Sequence, residues 1–90
     1  MHDMTRVVLY TTPWCAHCFL ARRLLQRRGV AFDEIDVATD TEARVRLVAE
    51  TGWRTVPLVF IDGRLAGGRR ELYHLDRCGE LQRLGLTSRV

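Results

Sequence analysis

The apolar run Val7-Val8-Leu9-Tyr10 reads as a buried strand, and a helix-like segment follows it almost at once. Between them Thr11-Thr12-Pro13-Trp14 reads as a tight connector, and Phe19, Leu20, Leu24 and Leu25 then recur at helical spacing. Two cysteines, Cys15 and Cys18, fall at this junction, separated by Ala16 and His17. The pattern places Cys15 at the amino-terminal end of a helix and Cys18 one turn further in. Residues three apart on a helix are neighbours, so the two sulfurs can meet as thiols or as a disulfide. A thiol at a helix start has its charged form stabilised. Such an arrangement suits disulfide exchange, and it fixes what the rest of the chain must build.

The remaining segments alternate. A strand is expected over about 6–10, and a helix over about 14–28 that stops at Gly29. A second strand spans 31–36. A second helix follows Asp40 or Thr41 as cap, carries Ala43, Val45, Leu47 and Val48, and ends at Gly52. Val56 to Ile61 reads as a third strand. Asp62-Gly63 is a strong hairpin turn, so 64–66 returns antiparallel as a short fourth strand. After Gly67-Gly68 a last helix runs from 69 to 77, with a further turn near 80–84. The order is β-α-β-α-β-β-α. A right-handed β-α-β unit makes the first two strands parallel. Strands apolar on both faces need helices on both sides.

A chain of 90 residues makes one domain, taken as 1–90. No apolar run approaches the roughly 18 residues of a membrane helix. The first six residues do not form a secretory signal, so a cytoplasmic protein without a membrane partner is expected. In that compartment disulfides are transient and catalytic, which suits one close cysteine pair plus a single Cys78. The net charge is +3, with fourteen arginines and no lysine. This modest excess, lacking a basic stripe interleaved with aromatics, argues against nucleic acid. Arg22-Arg23 and Arg27-Arg28 read as a solvated helix face. Steering of an anionic substrate or acidic partner is the other reading, and Arg69-Arg70 belongs with it.

The chain resembles glutaredoxins from about Val7 to Leu84. The resemblance rests on Tyr10-Thr11-Thr12-Pro13-Trp14-Cys15-Ala16-His17-Cys18, on Gly29 to Val37, and on Thr51-Gly52. Thr55-Val56-Pro57, Phe60-Ile61-Asp62-Gly63, Gly67-Gly68, Glu71-Leu72-Tyr73 and Leu75-Asp76-Arg77 continue it. A lone Cys-X-X-Cys is weak, since zinc sites share it; followed by Thr-Val-Pro and then Gly-Gly it is specific. The resemblance implies an α/β protein of the minimal thioredoxin-like fold, a four-stranded mixed sheet flanked by helices. It implies a thiol–disulfide oxidoreductase that reduces protein or low-molecular-weight disulfides. Cys15 attacks, and Cys18 resolves the mixed disulfide. Pro13, Trp14, Ala16 and His17 form the environment of the pair. Thr55-Val56-Pro57 matches the family's cis-proline loop, whose backbone docks the substrate chain. Gly68, Arg69, Arg70 and Glu71 match the loop that holds the γ-glutamyl end of glutathione, and Arg44 matches a helix position that contacts its glycyl carboxylate.

Several residues depart from the family pattern. Ala16 and His17 stand where Pro and Tyr are usual, and the imidazole could donate to the thiolate and make the pair more oxidising. Arg69-Arg70 opposes the macrodipole of the last helix, a broken local rule that hints at function. The arginines could grip a carboxylate or mark a different thiol or protein partner. Glu71 could keep the acidic role. Thr12 replaces a basic residue of many glutathione-using members. Trp14 and Trp53 wall the groove or simply pack.

The electron donor is open among glutathione, mycothiol and thioredoxin reductase, because the Thr11-Thr12 connector and the Trp14-Cys15 junction also resemble actinobacterial redoxins, mycoredoxins among them. The protein is expected to act as a monomer with no bound cofactor. The alternative is a glutathione-assisted [2Fe-2S] cluster carrier using the first cysteine. Zinc held by Cys15, Cys18, His74 and Cys78 is disfavoured, because Cys78 lies nine residues along the last helix, roughly 13 Å from its start. Cys78 is then a partly buried spectator.

Overall fold

The structure, a computed structural model, describes residues 5–52 and 55–87. Trp53, and with it the reading of that residue as groove wall or packing, lies outside the described residues. The elements are β1 (Val7–Thr11), α1 (Ala16–Arg27), β2 (Asp33–Asp36), α2 (Thr41–Thr51), β3 (Leu58–Ile61), β4 (Arg64–Gly67), α3 (Arg69–Arg77) and α4 (Glu80–Thr87). The strands form one sheet in the order β2-β1-β3-β4. β1 pairs parallel with β2, while β3 is antiparallel to both β1 and β4. This is the mixed four-stranded sheet that the sequence pattern implied, in a thioredoxin-like α/β fold.

Alternation along β1 divides the core. Val7 and Leu9 face Ala21, Leu24 and Leu25 of α1, Leu72 of α3, and Leu81 and Leu84 of α4. Tyr10 turns to the opposite face, where Val37, Leu47 and Leu58 are buried beneath α2. There Tyr10 meets Phe60 edge to face, with ring centroids 5.4 Å apart. Burial of the leucines supplies most of the driving force, at about 1.5–3 kcal/mol for each fully buried side chain.

Four boundaries differ from expectation, each for a local reason. α1 begins at Ala16 rather than near residue 14, because Cys15 is extended (φ −102°, ψ 112°) and acts as N-cap. β2 begins at Asp33 rather than residue 31. The chain is still leaving α1 at Val30, whose N–H donates to the Leu25 carbonyl at 2.9 Å. β3 begins at Leu58 rather than Val56, because Pro57 has no N–H to give the ladder. The expected turn near 80–84 is a helix through Thr87, with Leu81 and Leu84 buried. Gly85 lets α4 lie against the end of α1: a Cβ there would stand 2.4 Å from the Arg28 carbonyl oxygen.

The exposed stripe of α1 also differs from the pattern. Cys18, Ala21, Leu24 and Leu25 are buried, while Phe19 and Leu20 face outward. Two clasps close the structure. Arg28 Nε donates to Asp76 Oδ1 at 2.6 Å, tying α1 to α3. Thr5 N–H donates to the Thr87 carbonyl at 2.8 Å and the two hydroxyls lie 2.9 Å apart.

Candidate active site

Cys15 caps α1 with its sulfur. Sγ accepts the backbone N–H of Cys18 at 3.2 Å, and its S–H donates to the Val56 carbonyl at 3.7 Å. The three cysteines are free thiols. Cys15 is half-buried at the surface, whereas Cys18 is fully buried on the core side of α1. Burial, then a hydrogen bond to Cys15, pushes the Cys18 thiol up to about 12, with the Thr12 backbone acting in the opposite direction. The two sulfurs are therefore chemically unequal: one is open and receives a backbone amide, the other is sealed and protonated.

The peptide bond Val56–Pro57 is cis and Pro57 is buried. Beside it runs a groove of about 430 Å³ lined by His17, Thr55, Val56, Pro57, Gly68, Arg69, Arg70 and Glu71. Residues from three distant parts of the sequence thus meet at one opening. Arg44 lines a separate recess of about 160 Å³ with Thr12, Thr55 and Val56; among the described residues Thr55 and Val56 are the two it shares with the groove. Pro13, Trp14 and Ala16 are exposed, and Trp14 is 87% accessible. Trp14 borders neither cavity and is not packed, contrary to both expectations for it.

Glu71 folds back on the start of its own helix. Its Oε1 accepts the Gly68 N–H at 2.9 Å, and backbone N–H groups, its own and that of Gly68, hold its carboxyl below the usual range. Gly67 makes room for this: its φ is +130°, and a Cβ there would lie 2.4 Å from Glu71 Cγ. Arg69 reaches α1, where its Nη1 lies 3.3 Å from His17 Nδ1. A guanidinium can only donate, so Nδ1 is the acceptor in this contact. The partner found for His17 is thus Arg69.

One group escaped the sequence reading. Arg22, assigned there to a solvated face, is only 30% exposed along its side chain. Its Nε donates to Glu34 Oε1 at 2.7 Å, and its Nη2 donates to Glu34 Oε2. Buried Thr11 donates its hydroxyl to the same Oε2 at 2.7 Å. The one available signal was spacing, since Arg22 is four residues beyond Cys18. Cys78 also differs from expectation: as the C-cap of α3 it is exposed rather than partly buried, and its S–H reaches the Leu75 carbonyl at 3.6 Å. Among the described residues no three His, Cys, Asp or Glu side chains gather as metal ligands.

Comparison with known proteins follows the same lines. The glutaredoxin family model matches residues 7–66. A glutaredoxin from Pseudomonas aeruginosa is 43% identical over 81 residues, covering 90% of this chain and 96% of that one. The solution structure of a glutaredoxin from Brucella melitensis superposes with a TM-score of 0.80 at 37% identity, covering 96% of this chain and 94% of that one. A crystal structure of a buckwheat glutaredoxin–glutathione complex does so with a TM-score of 0.80 at 28% identity, covering 91% and 77%. With this breadth of likeness in sequence and fold, the chain belongs to the glutaredoxin family and is a glutaredoxin-like thiol–disulfide oxidoreductase.

Proposed function

We propose that the chain works by a dithiol route, with Cys15 as nucleophile and Cys18 as resolving thiol. The observation that carries this is the inequality of the two sulfurs. The Cys15 sulfur stands at the surface and receives the Cys18 N–H, a hydrogen bond that strengthens when the sulfur is a thiolate. Cys18 is sealed beneath it, protonated, one helical turn away. The Cys15 thiolate attacks one sulfur of a substrate disulfide, forming a mixed disulfide and expelling the other sulfur as thiolate. Cys18 then attacks Cys15, the substrate thiolate leaves, and Cys15–Cys18 becomes the disulfide. Two electrons pass from the protein to the substrate.

The groove beside Cys15 suits a small thiol bearing carboxylates. Arg69 and Arg70 flank it, and the Val56–Pro57 backbone borders it. Glutathione mixed disulfides and protein disulfides are the substrates that this reading assigns. Glutathione, mycothiol or thioredoxin reductase would restore the thiols. The buried second thiol favours exchange over the cluster-carrier alternative, which needs only the first cysteine. The same reading has residues 1–90 as one domain acting as a monomer in the cytoplasm.

The test is NADPH-coupled reduction of a model disulfide with the glutathione, mycothiol and thioredoxin-reductase systems in parallel. Cys15→Ser is expected to abolish turnover in all three. Cys18→Ser is expected to stop reduction of protein disulfides while sparing turnover of a glutathione mixed disulfide. Activity retained in Cys15→Ser would overturn the assignment.

A further inference from the structure

Cys18 must lose a proton where it lies, in a fully buried site. A buried sulfur resists charge, so the resolving step needs something nearby that favours the anion. Arg22 is placed for this. It stands four residues beyond Cys18 on α1, the spacing that brings side chains together on one helix face. Its guanidinium is not free to wander. Glu34 on β2 grips it through both carboxylate oxygens, and the buried Thr11 hydroxyl on β1 fixes Glu34 in turn. The charge of Arg22 also favours the Cys18 anion, after the Thr12 backbone.

The state that matters is the mixed disulfide. In the reduced protein, the hydrogen bond to Cys15 and the charge of Cys15 add to burial in keeping Cys18 protonated. A Cys15 sulfur joined to substrate carries no charge, and its accepting power is weak. In that state the charge of Cys15 no longer opposes that of Arg22 at Cys18.

We propose that Arg22, held by Glu34 and Thr11, is a positioning residue for the resolving step, stabilising the negative charge that Cys18 must carry to attack the mixed disulfide on Cys15. This inference rests on the dithiol reading above. The Cys18 proton passes to solvent, the new Sγ–Sγ bond forms as the Cys15–substrate bond breaks, and the departing thiolate takes up a proton. The dithiol is oxidised and the substrate reduced, with no further reactant.

The experiment separates the two steps in a Cys78→Ser background, which removes the exposed third thiol. An aromatic disulfide that releases a coloured thiolate is mixed with reduced protein in a stopped-flow instrument between pH 6 and 9. The first release reports attack by Cys15, the second attack by Cys18. Arg22→Gln is expected to slow the second release about tenfold at pH 7 and to move its pH midpoint up by about one unit, leaving the first release within about twofold. Thr11→Val, which loosens Glu34 without changing any charge, should shift it the same way by less, and Arg22→Lys should recover most of the rate. If Arg22→Gln fails to fold, the Thr11→Val profile makes the same test. An unmoved midpoint, or a lysine no better than glutamine, overturns the role of Arg22. A first release no faster than that of free cysteine overturns the underlying reading instead.

Discussion

The backbone N–H of Cys18 points at the sulfur of Cys15 from 3.2 Å, so the residue that would resolve the mixed disulfide also steadies the one that would form it. A side chain cannot replace this donor, because it belongs to the turn of the helix itself. Cys18→Ser therefore keeps the amide and removes only the thiol. With Cys78 also changed to Ser, Cys18→Ser should leave the alkylation rate of Cys15 within about twofold. That expectation follows from the intact N-cap and is read by mass spectrometry after timed exposure to iodoacetamide.

The three thiols of the reduced protein should label in a fixed order. Cys15 and Cys78 are accessible, while Cys18 is buried and pushed up to about 12. Between pH 7 and 9 iodoacetamide should modify Cys15 and Cys78, with Cys18 at least about tenfold slower, since the thiolate is the reacting form. Peptide mapping after timed quenching checks this. Equal labelling of Cys18 would mean that α1 opens around it.

Gly67→Ala should cost stability and substrate affinity together. The residue has φ +130°, and an added Cβ would press on the Cβ, Cγ and Cδ atoms of Glu71. Placing an alanine in that conformation costs roughly 1–3 kcal/mol, and displacing Glu71 uncaps Gly68. Urea denaturation should show the loss, and KM for a glutathione mixed disulfide should rise because α3 and the groove share that corner.

Arg69 offers a cleaner probe of the groove. Its side chain is exposed and contacts His17 rather than the core. Arg69→Ser should leave the melting temperature unchanged. If Arg69 grips a substrate carboxylate, KM should rise by about tenfold, the size expected for one charge-assisted hydrogen bond. An unchanged KM would assign carboxylate recognition to other residues, Arg70 and Arg44 first.

Acid should loosen the joint between α1 and α3. Hydrogen bonds from Arg28, then its charge, hold the Asp76 carboxyl below its usual range. A carboxyl depressed in the folded state adds stability above its unfolded value, and that stability disappears as the pH falls through the folded value. Wild-type protein should therefore lose stability below about pH 4 more steeply than Asp76→Asn. The two curves should converge at low pH, as urea midpoints measured between pH 2.5 and 7 would show.

The fold was legible where a local pattern decides it. Val7 to Tyr10, the helix that opens at the cysteine pair and the Asp62-Gly63 turn all carry their geometry in short stretches, and each is present, with β1 shifted by one residue and α1 beginning two residues later than the pattern put it. The phase of α1 was not legible. Phe19 and Leu20 are more apolar than Cys18 and Ala21, yet the latter pair is buried. Periodicity states that a stripe exists; the packing partners decide which stripe is covered. The assembly of His17, Val56-Pro57 and Gly68 to Glu71 around one groove was expected from family likeness, and these residues do line one cavity. The Arg22–Glu34 pair was hidden because its partners meet only through the parallel register that sets Leu9 beside Glu34. The family likeness gives Glu71 an acidic role in the loop for the γ-glutamyl end of glutathione. Its carboxylate also caps Gly68, the fold-back of a glutamate at the third helical position on the N-cap amide, a spacing that Gly68 to Glu71 carries in the sequence.

The clasp between Thr5 and Thr87 has a practical consequence. It lies before β1, whereas Cys15 follows the far end of that strand, about 17 Å away at strand rise. A short peptide bridge from Thr87 to Thr5 would span almost no distance, so a ring-closed chain reopened at the Asp62-Gly63 turn should keep its thiols in register. Such a permuted variant would show whether the redox chemistry depends on the order in which the strands emerge or only on where they finish.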